Sequence, residues 1–298
     1  MYILVNKYTR KIHTTKVMKM NKTNICKAAA HFVENEKDNY ITKEFALSTQ
    51  VIGMKIFEDP IFAFGSAADP YFDELKKPTA IGDHVRHPQQ WLPEAKTVIS
   101  FFLPFSQQIK RENTKDSVWP ADAWLHGRIE GQAFLNKLTT YLKFILLRAG
   151  YNSIVPSLDE NFWSKAGFNP NTPHPQAAFT SNWSERHVAF ICGLGTFGLS
   201  KGLITAKGVA GRFASIITEL ELPPDTRNYK SIYEYCCLCG ACVKKCPAGA
   251  ISIEEGKNHM ACSVFSDKII EKYAPRYGCG KCQTGVPCES KIPLLNTY

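Results

Sequence analysis

Eight cysteines in the last quarter of the chain constrain it more than any other feature: Cys236-x2-Cys239-x2-Cys242-x3-Cys246-Pro247, then Cys262, Cys279-x2-Cys282 and Cys288. A 4Fe-4S cube has four irons that each need an external ligand, and steps of three residues let one tight loop reach three corners of the same cube. Eight thiolates therefore correspond to two cubes. In two-cluster ferredoxin domains the cysteine before proline ligates the other cluster. The spacing thus predicts one set of Cys236, Cys239, Cys242 and Cys288, and a second of Cys246, Cys262, Cys279 and Cys282. Cys242 and Cys246 are four residues apart, so their Cα atoms are separated by no more than roughly 14 Å, and an electron can pass between the two sites.

Zinc and disulfides are the competing readings. Structural zinc takes two short cysteine pairs separated by a longer gap, unlike consecutive short steps ending in Cys-Pro. Disulfides suit a secreted chain with an even count, whereas 11 cysteines are present and no secretory segment is expected. Three cysteines remain. Cys237 adjoins Cys236 and could substitute as a ligand, while Cys26 and Cys192 lie in apolar stretches and read as small buried residues.

With 298 residues, 44% of them hydrophobic and 21% charged, the chain has room for a main domain of about 200 residues and a smaller one. The longest apolar runs, Val98 to Phe105 and Tyr141 to Leu147, fall short of the roughly 20 residues that span a bilayer. No membrane association is expected. The first twenty residues are basic and lack the apolar core of a signal peptide, so they read as a loose extension, with Met18 or Met20 as an alternative start. The formal charge of +9 invites a nucleic-acid reading. Two thiolate-bound cubes would add roughly −4 and leave about +5, which permits RNA or an acidic protein as partner without requiring either. Cubes and unpaired thiols together point to a reducing, anaerobic cytoplasm.

A break falls at Leu222-Pro223-Pro224-Asp225. The expected organisation is an extension over 1–20, an α/β cofactor and substrate domain over 21–228, and a ferredoxin-like domain over 229–298. Within the middle segment, Lys22 to Asn35 and His126 to Ala149 carry helical spacing of apolar residues, and Gly150 supplies a stop. Ala95 to Phe105, Tyr151 to Pro156 and Phe213 to Thr218 read as strands, and Ser184 to Cys192 as a helix. Asn152 to Thr180, rich in Asn, Pro and aromatics, reads as a long loop over a pocket.

Gly193-x-Gly195-x-x-Gly198 has the dinucleotide pattern, but that fingerprint needs a strand before it and a helix opening within it. Here a helix precedes and loop or strand follows. The three glycines instead suit a close approach of backbone to a large flat ligand or a neighbouring element. Glu185 and His187, next to that loop, are the candidate proton donors. Being two apart they do not share a helix face, and the plainer reading is an ion pair at a helix start with Ser184 as N-cap. His84 and His87 precede a proline and read as surface loop, although metal binding by the pair is conceivable chemistry. His174 could reach a metal-containing cofactor. Trp91, Trp119, Trp124, Trp163 and Trp183 fall around the expected pocket loops and could wall a planar cofactor.

Three stretches together, Leu92 to Ser106 (LPEAKTVISFFLPFS), Ser184 to Thr205 (SERHVAFICGLGTFGLSKGLIT) and Tyr277 to Gln283 (YGCGKCQ), resemble the epoxyqueuosine reductase family of iron-sulfur, cobalamin-dependent enzymes related to reductive dehalogenases. The resemblance implies a nitroreductase-like, cobalamin-binding α/β domain joined to a double-cluster ferredoxin-like domain, with a corrinoid held between them and Gly193, Gly195 and Gly198 beside it. Three departures matter. The family's acid, six residues before the position of Glu185, falls on Phe179; the sequence given ends ten residues after Cys288, where tRNA-acting members continue into helical repeats; and the last spacing is Cys282-x5-Cys288. The expectation is therefore a cytoplasmic oxidoreductase that takes electrons from a ferredoxin or flavodoxin and passes them through two 4Fe-4S clusters to a corrinoid or comparable centre, flavin being the less favoured choice. Its substrate is expected to be a small organic molecule in preference to tRNA. The alternative is a non-catalytic carrier that reduces a partner corrinoid protein.

Overall fold

The computed structural model describes residues 20–166 and 178–294. Helix α1 (Lys22–Asn35) starts where the Asn21 side chain accepts a hydrogen bond from the Asn24 amide. Its buried residues Ile25, Ala29, Phe32 and Val33 fall on one stripe at helical spacing. Strand β1 (Ile61–Ser66) and the wholly buried β2 (Thr97–Pro104) follow, then a short helix α2 (Gln107–Glu112). Helix α3 (Asp122–Arg148) has 27 residues, a length of about 40 Å. Next come β3 (Ser153–Ile154), β4 (Ser164–Ala166), β5 (Phe179–Ser181), α4 (Glu185–Cys192), β6 (Gly195–Phe197), β7 (Leu203–Thr205) and β8 (Gly211–Thr218).

The central sheet has the order β1-β2-β8-β3, and each pairing in it is antiparallel, with Phe64 opposite Ile99 and Ile99 opposite Ile216. Side chains alternate between two cores, as the two-residue period of a strand requires. Ile99, Phe101, Leu103, Ala214 and Ile216 pack with α1 and α3 on one face. Val98, Phe102 and Ile217 pack with α4 and Trp183 on the other. The continuous apolar run of β2 reflects this burial on both faces. The fold is mixed α and β, with helices covering an antiparallel sheet. Alternation of helix and strand along the sequence does not here produce parallel strands.

Glycines set how closely α3 approaches the sheet: a Cβ at Gly127 would lie 2.7 Å from Cε1 of Phe105. The cysteine-rich section holds a single helical turn α5 (Ala241–Lys244), a hairpin of β9 (Ile251–Ser252) and β10 (Gly256–Lys257), and α6 (His259–Tyr273), capped by Asn258. It is stitched to the sheet domain at several points. The Val209 amide donates to the Cys288 carbonyl at 2.9 Å and the Phe197 amide to the Ile232 carbonyl at 2.7 Å. Lys281 donates to the carbonyls of Asn113 and Asp116, and Arg276 makes a two-pronged ion pair with Glu130 on α3 at 2.7 Å for each bond. Among the described residues, no helix is long and apolar enough to cross a membrane.

Candidate redox site

The cysteines line two separate cavities. One, of about 190 Å³, is bordered by Cys246, Cys262, Cys279 and Cys282, with Trp124 and Phe265 among its walls. The other is bordered by Cys236, Cys239, Cys242 and Cys288, and Cys237 reaches it as well. Cys246 therefore leaves its own loop and joins the later cysteines. Leu199 and Ile251 pack between the two groups. Thiols arrayed around a cavity are the arrangement a polynuclear cluster needs. Burial pushes the Cys282 and Cys288 thiols up to about 12, so these sites favour thiolates only against bound cationic metal.

Local structure explains how the ligands are placed. Leu238 adopts φ +50° and Gly240 φ +67°, turning the loop between Cys236 and Cys242 tightly enough to aim three thiols inward. Cys262 sits in the first turn of α6, and the Ala250 amide donates to Cys246 Sγ at 3.3 Å. Exposure differs between single cysteines of the two groups. Cys239 is exposed, and Leu238 and Ile253 beside it are 56% and 52% exposed. Cys282, in contrast, is buried.

The GLGTFG glycines serve the protein's own packing. Gly193, with φ +105°, ends α4. At Gly195 a Cβ would lie 1.9 Å from the Ile204 carbonyl oxygen, because β6 pairs closely with β7 there. Gly198 borders the outer cavity, its added Cβ 3.7 Å from Cys236 Sγ. A helix precedes this stretch and a hairpin follows, so the arrangement of a dinucleotide fold is absent from it.

Ser184 occupies the N-cap position of α4, but its hydroxyl bonds the ring Nδ1 of His187 at 2.8 Å and caps no amide. The expected ion pair is also absent. Both carboxyl oxygens of Glu185 are shut off from solvent without a good hydrogen bond, facing the region of the Ser215 and Ser157 hydroxyls. Burial raises Glu185 to about 7, against a small pull downward from those hydroxyls. Burial and the neighbouring Arg186 lower His187 to about 4. Near neutral pH Glu185 is thus partly protonated and His187 is neutral, its ring 4.9 Å from that of Phe197.

His84 bonds the Thr180 hydroxyl at 2.5 Å and His87 leads into the helical turn Pro88–Trp91, its ring against Phe72. His174 lies outside the described residues. The tryptophans do not share one pocket: Trp91 and Trp183 belong to the α4 core, Trp124 borders the inner cysteine cavity, Trp119 stacks on Phe265, and Trp163 lies against His84. Phe179, where the resemblance places an acid, packs against His259 at 5.7 Å between ring centres.

Sequence reasoning missed a group of basic side chains next to the inner cavity. Arg128 of α3 lies over the Tyr277 ring, 4.6 Å from its centre. Arg212 of β8 is held by Gln132, and Arg186 of α4 donates to the Lys201 carbonyl at 2.7 Å. Lys257 of β10 approaches Cys262 and Cys282. Arg186 is exposed, with Arg128 and Cys282 as its charged neighbours. The available signal was Arg212, a charge entering an otherwise apolar strand.

Residues 229–252 match the model of the 4Fe-4S binding domain. The chain carries an iron-sulfur module. It is also 36% identical over 116 residues to tetrachloroethene reductive dehalogenases of Desulfitobacterium hafniense and Dehalobacter restrictus, a match covering 37% of this chain and 21% of each relative. The matched part is about a fifth of those proteins' own length. Structural neighbours include the epoxyqueuosine reductase of Streptococcus thermophilus, with TM-score 0.44, 19% identity, and coverage of 79% of this chain and 65% of that one. They also include the catabolic reductive dehalogenase NpRdhA, with TM-score 0.49, 11% identity, and coverage of 78% and 30%.

Proposed function

We propose that the protein is an iron-sulfur reductase that carries electrons inward through two 4Fe-4S clusters to a redox centre in the cleft beside the inner one, where a small organic molecule is reduced. The observation that carries this reading is the division of the cysteines between two cavities, one holding the exposed Cys239 with Cys236, Cys237, Cys242 and Cys288, the other holding the buried Cys282 with Cys246, Cys262 and Cys279 beside Arg128 and Lys257. Cys236, Cys239, Cys242 and Cys288 would hold the outer cluster, and Cys246, Cys262, Cys279 and Cys282 the inner one. When bound, the clusters supply one-electron transfer, and a corrinoid in the cleft would supply the two-electron chemistry of reductive elimination.

The chain's own residues define the path. Leu238 and Ile253 form an apolar rim around Cys239, suited to brief docking of a ferredoxin or flavodoxin donor. Trp124 and Phe265 help exclude water from the inner site. Of the two candidate acids, Glu185 is the one in a protonation state to give up a proton near neutral pH, and His187 serves as a neutral wall beside Phe197. The kinship with reductive dehalogenases, and a phenylalanine where tRNA-acting relatives would carry an acid, favour a small substrate over tRNA.

Anaerobic reconstitution followed by cobalamin titration tests the proposal. About eight irons with matching sulfide per chain, and tight corrinoid binding with a changed cobalt spectrum, are expected. Full cluster loading with no corrinoid binding, together with reduction of a separate corrinoid protein, would establish the carrier role instead.

A further inference from the structure

We propose that the basic cluster at the edge of the inner cysteine cavity is an oxyanion-binding site, in which Arg128, Arg186, Arg212 and Lys257 receive a carboxylate or phosphate group of a bound organic ligand. This deepens the reading given above, since it rests on that place being where the ligand is reduced.

The four cations come from four distant parts of the sequence, on α3, α4, β8 and β10. Like charges are costly to gather in a partly enclosed space. Yet among the described residues their charged neighbours are one another, cysteine thiols and Tyr277, with no aspartate or glutamate. Arg128 also keeps an Nε that is shut off from solvent and has no hydrogen-bond partner. Such a set requires an anion to offset it.

A resident cluster accounts for only part of this charge. Lys257 neighbours Cys262 and Cys282, Arg186 neighbours Cys282, and Arg128 neighbours Cys279, so each could balance the thiolates. A cube held by four thiolates carries about two negative charges, which leaves roughly two positive charges over. Arg212 has no cysteine among its charged neighbours; it faces Arg128 and Tyr277 and is fixed by Gln132. Guanidinium groups present planar forks that match carboxylate and phosphate oxygens two at a time. Three neighbouring arginines therefore specify an oxyanion better than a halide or a neutral ligand.

The test uses the full chain loaded with clusters under argon, and calorimetric titration with benzoate, phenyl phosphate and benzamide. Benzoate or phenyl phosphate should bind about tenfold or more tighter than benzamide, with an affinity that falls as salt rises. Arg186→Gln and Arg212→Gln, made separately, should each remove most of that preference while iron, sulfide and the visible spectrum stay unchanged. Equal binding of benzamide and the two oxyanions overturns the proposal, as does an oxyanion preference that survives both substitutions. Tight binding of an RNA stem-loop, with neither small oxyanion binding, overturns it too. Preloading with cobalamin or with cobinamide, which lacks the nucleotide phosphate, locates the source. Displacement of benzoate by cobalamin alone assigns the oxyanion to the corrinoid tail, and displacement by neither assigns it to the substrate; both outcomes uphold the site. Iron and sulfide content report on the redox reading independently of all these titrations.

Discussion

Single residues carry two decisions that spacing could only narrow. Glu185 and His187 are equivalent candidates in the sequence, but burial acts on them with opposite consequences: it keeps a proton on the carboxyl and takes one from the imidazole. Because Glu185 is raised to about 7 from 4.5, the folded state holds its proton more tightly than the unfolded chain. The native protein should lose stability as pH rises from about 4.5 to 7 and stay at the lower level above that. Glu185→Gln removes this dependence and should make the protein more stable at pH 8 by roughly 2–3 kcal/mol, with little change at pH 4, as read by urea unfolding at both values. A variant that follows the native pH dependence would show that Glu185 ionises normally. The cysteines make a second prediction. Cys246→Ala should reduce iron from about eight to about four per chain and spare the outer cluster, whereas Cys237→Ala should leave about eight. Iron analysis with electron paramagnetic resonance checks both, and equal depletion of the two clusters by the first substitution would contradict the exchanged ligand.

At the scale of elements, most helices and strands follow from periodicity, and the places where they did not are instructive. Lys22–Asn35 is helical because its apolar residues form one stripe between a capping Asn21 and Glu36. Helix α3 begins at Asp122, four residues before the expected start, because Asn113 accepts a hydrogen bond from the Ala121 amide and fixes the entry. The GLGTFG stretch became a hairpin strand because its partner, Leu203–Thr205, lies across a turn that no local pattern specifies. Gly195 is needed there for close approach to Ile204, not for a positive φ. Gly195→Ala should therefore break the β6–β7 hairpin and cost more than about 3 kcal/mol, seen as a lowered melting temperature together with looser retention of the outer cluster next to Gly198. Gly150→Ala serves as comparison: the added methyl meets nothing within 4 Å, although φ +90° strains it, so its loss should be smaller, about 1 kcal/mol.

The molecule as a whole depends on how firmly the cysteine-rich section is fastened to the sheet domain. Glu130 is the central fastener, accepting from His126 at 2.9 Å and from both arms of Arg276. Burial by itself would raise its pKa, but the bonds from His126 and Arg276 outweigh it and hold the carboxyl at about 2. With an unfolded value of 4.5, this contribution is complete above about pH 4.5 and disappears as pH falls toward 2. Its side chain is 21% exposed, so solvent screening limits it to roughly 2 kcal/mol. Acid unfolding should steepen over that interval, and Glu130→Gln should flatten it while making cluster release at pH 6 faster. Stopped-flow absorbance of the clusters provides the measurement, and identical acid curves for the two proteins would remove Glu130 from this role.

The sequence by itself disclosed the 4Fe-4S binding module, since a cube's corners impose short cysteine steps that are written locally along the chain. It also determined which segments are helix and strand, because burial on one stripe or on alternate residues leaves a periodic trace. Tertiary structure alone decided that the sheet is antiparallel, that Cys239 is exposed while Cys282 is buried, and that Arg128, Arg186, Arg212 and Lys257 become charged neighbours. Strand order and the meeting of charges depend on contacts between residues far apart in sequence, and such contacts leave no period or spacing to read.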